Sequence, residues 1–115
     1  MEPLEPMSQT GPVFVPMPKE IDITNCRRIG SELRAAVRPG VTLVIADGSL
    51  TTFCDSSGIQ QLLDAHKYAA ANNAELKLVC PSDRVNRTLR LLGIADTLRV
   101  YPDLGAALTS LPGVP

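Results

Sequence analysis

The sequence predicts an α/β domain with a mostly parallel, partly mixed sheet of about four strands, together with about four helices. Two observations lead to this prediction. Segments of strand character alternate four times with segments in which apolar residues recur every three or four positions. Residues 41–46 (VTLVIA) are continuously apolar and rich in β-branched side chains, which is typical of a central parallel strand covered on both faces. A chain of 115 residues fits one such domain.

The chain starts with a segment of different composition. Residues 1–11 are rich in proline and predict a flexible arm, so we place the domain at residues 12–112. Residues 13–17 (VFVPM) then predict a strand. Because Pro16 has no N–H to donate to a neighbouring strand, we expect this strand at the edge of the sheet.

Helices and strands follow in alternation. Residues 24–37 predict an amphipathic helix with Asp22 or Thr24 as its cap, and the central strand comes next. The remaining predicted elements are a helix that fades near residue 72, a strand at 76–80, a helix at 82–92 capped by Ser82 and stopped by Gly93, a short strand near 98–101 and a last helix at 102–111.

Composition and charge narrow the classes of function. The net charge is −1, and no run of Lys and Arg with interleaved aromatic residues is present, so nucleic-acid binding is not predicted. The apolar stretches are too short to span a membrane, and the acidic start lacks the basic segment of a secretory signal. We therefore expect a cytoplasmic protein that binds neither nucleic acid nor membranes.

The residue types that hold metals and disulfides form no recognisable pattern. The three cysteines include no Cys-x-x-Cys pair and lie at apolar positions, so we interpret them as core side chains. Asp22, Asp47 and Asp55 lie at the ends of predicted elements but lack the short-range spacing of a calcium loop. Glycine-rich phosphate loops are missing as well. The sequence predicts no metal site and no cofactor.

Residues 53–63 (FCDSSGIQQLL) place two serines beside an acid at the start of a helix. The pattern of a nucleophile elbow is missing, and the single histidine, His66, lies about 15 Å further along the same helix, so no catalytic residue and no enzyme are predicted. A helix N-terminus favours added negative charge, which makes a serine there a suitable acceptor of phosphate. The alternative is that Ser57 only caps the helix while Ser56 faces water.

Residues 47–63 (DGSLTTFCDSSGIQQLL) resemble the signature of STAS domains, in particular the stand-alone anti-sigma factor antagonists of bacteria. In that signature an acid ends a central strand, and D-S-S-G-[LI], here residues 55–59, opens a helix after a short strand. Residues 19–22 (KEID) resemble the family's G-E-[LI]-D, with Lys19 in place of the glycine. The order of the later elements is also similar, over about residues 13–111, although many members have a further strand before the first one here.

The resemblance implies a single STAS-like domain that acts by binding. In such antagonists the serine after the Asp, Ser56 here, is phosphorylated by a cognate anti-sigma factor that is also a serine kinase. The unphosphorylated form binds the kinase and frees a sigma factor, phosphorylation ends this binding, and a PP2C-type phosphatase restores it. The kinase supplies ATP, so the antagonist needs no cofactor. The residues expected to face the partner are Glu20, Asp22, Asp55, Ser57, Gly58 and Ile59.

Three residues of the motif also receive structural interpretations. We expect Asp55 to shape the turn, Ser57 to cap the helix and Gly58 to let another backbone approach closely. Two other functions remain open: a STAS scaffold that is not phosphorylated, and a module that binds a small anion, a nucleotide or a lipid at the helix N-terminus.

Overall fold

Four parallel strands form the main sheet in the computed structural model, which describes residues 11–109. In their order across the sheet they are β1 (Val13–Pro16), β3 (Leu43–Asp47), β5 (Glu75–Val79) and β6 (Arg99–Tyr101). Two short strands, β2 (Glu20–Ile21) and β4 (Phe53–Cys54), pair in parallel as a second sheet. The helices are α1 (Cys26–Ala36), α2 (Ser56–Ala71), α3 (Asp83–Leu91) and α4 (Leu104–Thr109). The predicted α/β class is confirmed, and residues 11–109 contain four strands in the main sheet and four helices.

Some predicted boundaries fall outside the described residues. The arm predicted at residues 1–11 lies there except for Gly11, as do the domain end at 112 and the last residues of the helix predicted over 102–111. These boundaries stay predictions. Of the described helices, α2 is the longest with 16 residues, and none in residues 11–109 combines the length and the apolar character needed to cross a bilayer.

The edge position of β1 agrees with the proline in it. Among the strands of residues 11–109, β1 pairs with β3 alone, and Pro16 lies opposite Asp47. Just after the strand, Met17 donates its N–H to the carbonyl of Asp47 at 2.8 Å. A residue without an N–H is tolerated in β1 because the outer side of an edge strand has no partner strand to bond.

Helices cover both faces of the main sheet. On one face, Val44 and Ala46 of β3 pack against the apolar sides of α1, α2 and α3. On the other face, Ile45 packs against Ala107 of α4. Lys77, opposite Ile45 in the register, is only 1% exposed and donates from Nζ to the carbonyl of Ala107 at 2.8 Å. This bond joins α4 to the sheet, because a buried ammonium group needs a hydrogen-bond acceptor.

The predicted limits of α3 are confirmed by their geometry. The hydroxyl of Ser82 accepts the N–H of Val85 at 3.2 Å, which is the bond of an N-cap. After the helix, Gly93 has a φ of 73°, a left-handed conformation that glycine adopts without strain.

The start of α1 differs from the prediction. Its N-cap is Asn25, whose side chain does not accept a bond from the helix. The carboxylate of Asp22 instead accepts the N–H of Thr24 at 2.9 Å and also its hydroxyl, while the Asp22 carbonyl accepts the N–H of Cys26 at 2.9 Å. The prediction that Asp22 or Thr24 caps α1 is therefore wrong, because both residues bond within a turn that precedes the helix.

The cysteines belong to the core. Cys26, Cys54 and Cys80 are all buried and carry free thiols, which confirms their interpretation as small apolar side chains.

Candidate functional site

The short sheet of β2 and β4 brings together two segments that are far apart in the sequence. Glu20 lies opposite Phe53, and Ile21 lies opposite Cys54, in parallel register. One residue further, Asp55 donates its N–H to the carbonyl of Ile21 at 3.0 Å. The stretch KEID therefore lies beside the start of α2, where the stretch DSSG begins.

Asp55, and not Ser57, caps α2. The backbone of Asp55 is extended, and its carboxylate accepts the N–H of Gly58 at 3.0 Å. Its carbonyl accepts the N–H of Ile59 at 3.0 Å, which starts the helical bonding pattern. The prediction that Ser57 is the cap is therefore wrong, since Ser57 is already the second residue of the helix.

The two serines differ in their surroundings. Ser56 is the first residue of α2 and is exposed, whereas Ser57 is half-buried. The hydroxyl of Ser56 makes no hydrogen bond to any of residues 11–109. Because Asp55 caps the helix, the Ser56 hydroxyl is not needed for capping and is open to solvent. The helix N-terminus also adds a positive potential at this position.

Gly58 and Ile59 hold α2 against the short sheet. Both residues are buried. A Cβ atom on Gly58 would lie 2.6 Å from Cγ2 of Ile21 and 2.7 Å from Sγ of Cys54. The close approach that the glycine permits thus involves side chains of this chain. The prediction that Gly58 and Ile59 also contact a partner stays a prediction.

Two acidic residues predicted to face a partner are Glu20, which lies in β2, and Asp22, which lies in the turn after it. Glu20 is exposed, and Asp22 is half-buried. Hydrogen bonds from the hydroxyl and N–H of Thr24 lower the pKa of Asp22, so its carboxylate stays charged to lower pH. Asn25, which the sequence analysis did not single out, donates from Nδ2 to the Glu20 carbonyl at 2.8 Å and accepts the Asp22 N–H at 2.9 Å. In this turn Ile23 is 68% exposed.

A contact between α3 and β4 was not predicted from the sequence. The guanidinium of Arg84 lies over the ring of Phe53, 5.0 Å from its centroid, which is the distance of a cation–π contact. Phe53 belongs to the STAS-like signature but Arg84 does not, and no spacing in the sequence relates the two residues.

A comparison with protein-family models identifies the family. The model described as STAS domain matches residues 5–107, which is most of the chain. The chain belongs to the STAS domain family. No curated protein is similar enough to the sequence to count as a match.

Solved structures share the fold of this STAS domain. An anti-sigma factor antagonist from Mycobacterium paratuberculosis is 24% identical with a TM-score of 0.76, over 86% of this chain and 84% of that one. The antagonist SpoIIAA in its unphosphorylated form is 20% identical with a TM-score of 0.72, over 92% of each chain. A putative antagonist from Thermotoga maritima is 17% identical with a TM-score of 0.68, over 83% of this chain and 84% of that one. At these identities the likeness establishes a common fold.

The start of α2 in this STAS domain lacks the groups of a hydrolytic site. Helix α2 runs unbroken past His66, which leaves the imidazole about 15 Å along the helix axis from Ser56. Burial, together with the negative charge of Asp55, raises the pKa of the nearby Cys54 thiol to about 12, so this thiol is a poor nucleophile. Among residues 11–109, no three His, Cys, Asp or Glu side chains are grouped as metal ligands.

Two cavities of this STAS domain lie away from the start of α2. One of about 440 Å³ is lined by residues 37–42 and 71–73, near the ends of α1 and α2. Another of about 420 Å³ lies between β1 and α1. Neither cavity is lined by residues 55–59.

Proposed function

We propose that this STAS domain is an anti-sigma factor antagonist that is switched by phosphorylation of Ser56. The unphosphorylated form binds a cognate anti-sigma factor that is also a serine kinase, and this binding frees a sigma factor. Phosphorylation ends the binding, and a PP2C-type phosphatase restores it. The domain is a substrate and a binding module and not an enzyme, and it works in the cytoplasm, where sigma factors act.

The position of Ser56 is the observation that carries this proposal. Its hydroxyl is exposed at the first residue of α2 and makes no hydrogen bond within residues 11–109. Asp55 caps the helix in its place. A kinase can therefore reach this hydroxyl without breaking a bond on which the fold depends, whereas Ser57 is half-buried in the first turn.

The surroundings of Ser56 also support a change of affinity on phosphorylation. A phosphoryl group brings about 1.5 to 2 negative charges and three acceptor oxygens. It would stand directly after Asp55 and beside the surface that carries Glu20 and Asp22. A partner that fits the unmodified surface closely would meet added bulk and added charge, and both weaken a tight interface.

The small-anion alternative has less support. An anion at a helix N-terminus binds free backbone N–H groups. Here the carboxylate of Asp55 already accepts the N–H of Gly58, and its negative charge repels a second anion. No contact among the described residues favours the unphosphorylated scaffold.

Incubation with the candidate anti-sigma factor kinase and ATP tests the proposal. Mass mapping should find the phosphate on Ser56, and Ser56→Ala should remain unlabelled. Ser57→Ala is the matched control and should be labelled as wild type is. In a pull-down, Ser56→Ala should retain the kinase while Ser56→Glu loses it. Phosphate on another residue would refute Ser56 as the acceptor, and equal retention of both Ser56 variants would refute the switch.

A further inference from the structure

Helix α3 presents a basic surface with an exposed leucine. Arg84, Arg87 and Leu91 lie three and four positions apart, so their side chains share one side of the helix, which we call the α3 face. All three are exposed, and Leu91 is 78% exposed. The opposite side of the helix packs into the core through Val85 and Leu89.

The positive charges of the α3 face are not neutralised by the fold. Within residues 11–109, no carboxylate lies at ion-pair distance from either arginine. Asp83 is the single acid in the helix, at its first residue. Arg84 lies in the first turn, where the helix dipole disfavours a cation. The helix dipole therefore does not favour an arginine at this position.

A contact with the short sheet fixes the position of Arg84. Its guanidinium lies 5.0 Å from the ring centroid of Phe53 in β4, and Phe53 is two residues before Asp55. A guanidinium held over a ring has fewer conformations to lose when it pairs with a carboxylate. The same contact makes the α3 face continuous with the strand that leads into Ser56.

We propose that the α3 face is a second docking surface for the partner that phosphorylates Ser56, and that it binds an acidic segment of that protein which also carries an apolar side chain. This inference rests on the proposed function. Charge complementarity selects an acidic segment, because Arg84 and Arg87 form bidentate bonds with carboxylates. The exposed Leu91 on the same face calls for an apolar side chain beside the acids. An overall net charge of −1 and only two arginines on the α3 face fit a protein segment better than a nucleic acid.

The affinity of the full chain for the candidate anti-sigma factor kinase tests this surface. Arg84→Glu/Arg87→Glu should raise Kd at least about tenfold, and the affinity of the wild type should fall with added salt. Arg38→Glu/Lys67→Glu is the matched control, because it changes the net charge equally at two exposed residues away from α3, and it should stay within about twofold of wild type.

Further variants separate docking from folding. Thermal melts should show that both charge variants are folded, and Arg84→Gln/Arg87→Gln gives a neutral replacement if the reversal unfolds α3. Leu91→Ser should raise Kd about threefold or more without lowering the melting temperature, because Leu91 is not packed in the core.

Each outcome gives a decision. If wild type binds the kinase and is phosphorylated, but the reversal of Arg84 and Arg87 leaves Kd unchanged, this inference is wrong and the proposed function stands. If wild type neither binds nor is phosphorylated, both are wrong. The charge-reversal variant is also tested for binding to phosphatidylglycerol vesicles and to duplex DNA. If it loses binding to either of these while its binding to the kinase is unchanged, the α3 face binds a membrane or a nucleic acid and the inference is wrong.

Discussion

The stability of the start of α2 should depend on Asp55 and not on Ser57. Asp55→Ala removes the carboxylate that accepts the N–H of Gly58, and it leaves that donor without a partner. Loss of an N-cap costs about 0.5–2 kcal/mol, and loss of a negative charge at the positive end of the helix dipole costs roughly 0.3–1 kcal/mol more. We therefore expect the free energy of unfolding to fall by about 1–3 kcal/mol. In a domain of this size each kcal/mol lowers the melting temperature by roughly 4–8 °C.

Urea denaturation followed by circular dichroism measures this difference directly. Ser57→Ala should stay within about 0.5 kcal/mol of wild type, because the hydroxyl of Ser57 does not cap the helix. Asp55→Asn keeps an oxygen acceptor and loses the charge, so its stability should lie between those of wild type and Asp55→Ala. A Ser57→Ala variant as unstable as Asp55→Ala would refute this assignment of the cap, and so would an Asp55→Ala variant as stable as wild type.

Three other substitutions test the packing and the electrostatics of the domain. In thermal melts, Gly58→Ala should be destabilised by about 1–3 kcal/mol, because its Cβ meets packed side chains. In Gly30→Ala the Cβ meets the ends of two flexible side chains, those of Gln61 and Arg34, which can move aside, so the loss of stability should be smaller. The free energy of unfolding of the wild type should fall as pH rises from 9.0 towards about 12, because the Cys54 thiol ionises at lower pH in the unfolded chain than in the folded one. Cys54→Ala should lose less stability over this pH range. An equal loss of stability in the variant would contradict the raised pKa of the buried thiol. Lys77→Ala should cost roughly 2–5 kcal/mol, while the exposed Lys67→Ala should be neutral in the same denaturation assay.

The sequence was most informative where one local rule decides the structure. Alternating strand and helix patterns predicted the α/β class, and Pro16 predicted the edge strand because a missing N–H excludes a central position. Ser82 and Gly93 predicted the ends of α3 in the same way, because a serine hydroxyl can cap a helix and a glycine backbone can adopt the left-handed conformation that ends one.

The cap of α2 could not be assigned in this way. Aspartate and serine are about equally good N-caps, so D-S-S-G is compatible with a helix that starts after either residue. The choice depends on the register between β2 and β4, which bonds the N–H of Asp55 to the carbonyl of Ile21. Two-residue strands are too short to show a period in the sequence.

The contacts of the charged residues could not be predicted from sequence patterns either. Lys77 lies between apolar residues in β5, but its hydrogen bond to Ala107 depends on where α4 packs across the sheet. Likewise, the sequence alone predicts that the arginines of α3 lie on an ordinary solvent-exposed helix face, and the contact between Arg84 and Phe53 is apparent only in the structure. Both contacts join elements that are distant in the sequence, so no local rule contains them.

The arrangement at the start of α2 separates the proposed switch from the stability of the fold. Asp55 caps the helix and Gly58 packs inside the domain, so neither of these roles involves the Ser56 hydroxyl. A phosphate on the first residue of a helix gains roughly 0.3–1 kcal/mol from the helix dipole, and this gain opposes its repulsion from the Asp55 carboxylate. A modified domain would therefore keep its helix while its surface changes in charge and shape. Under the proposed function, phosphorylation would then weaken binding only by changing the surface that contacts the partner. Because the domain stays folded, removal of the phosphate by a phosphatase would restore binding without a refolding step.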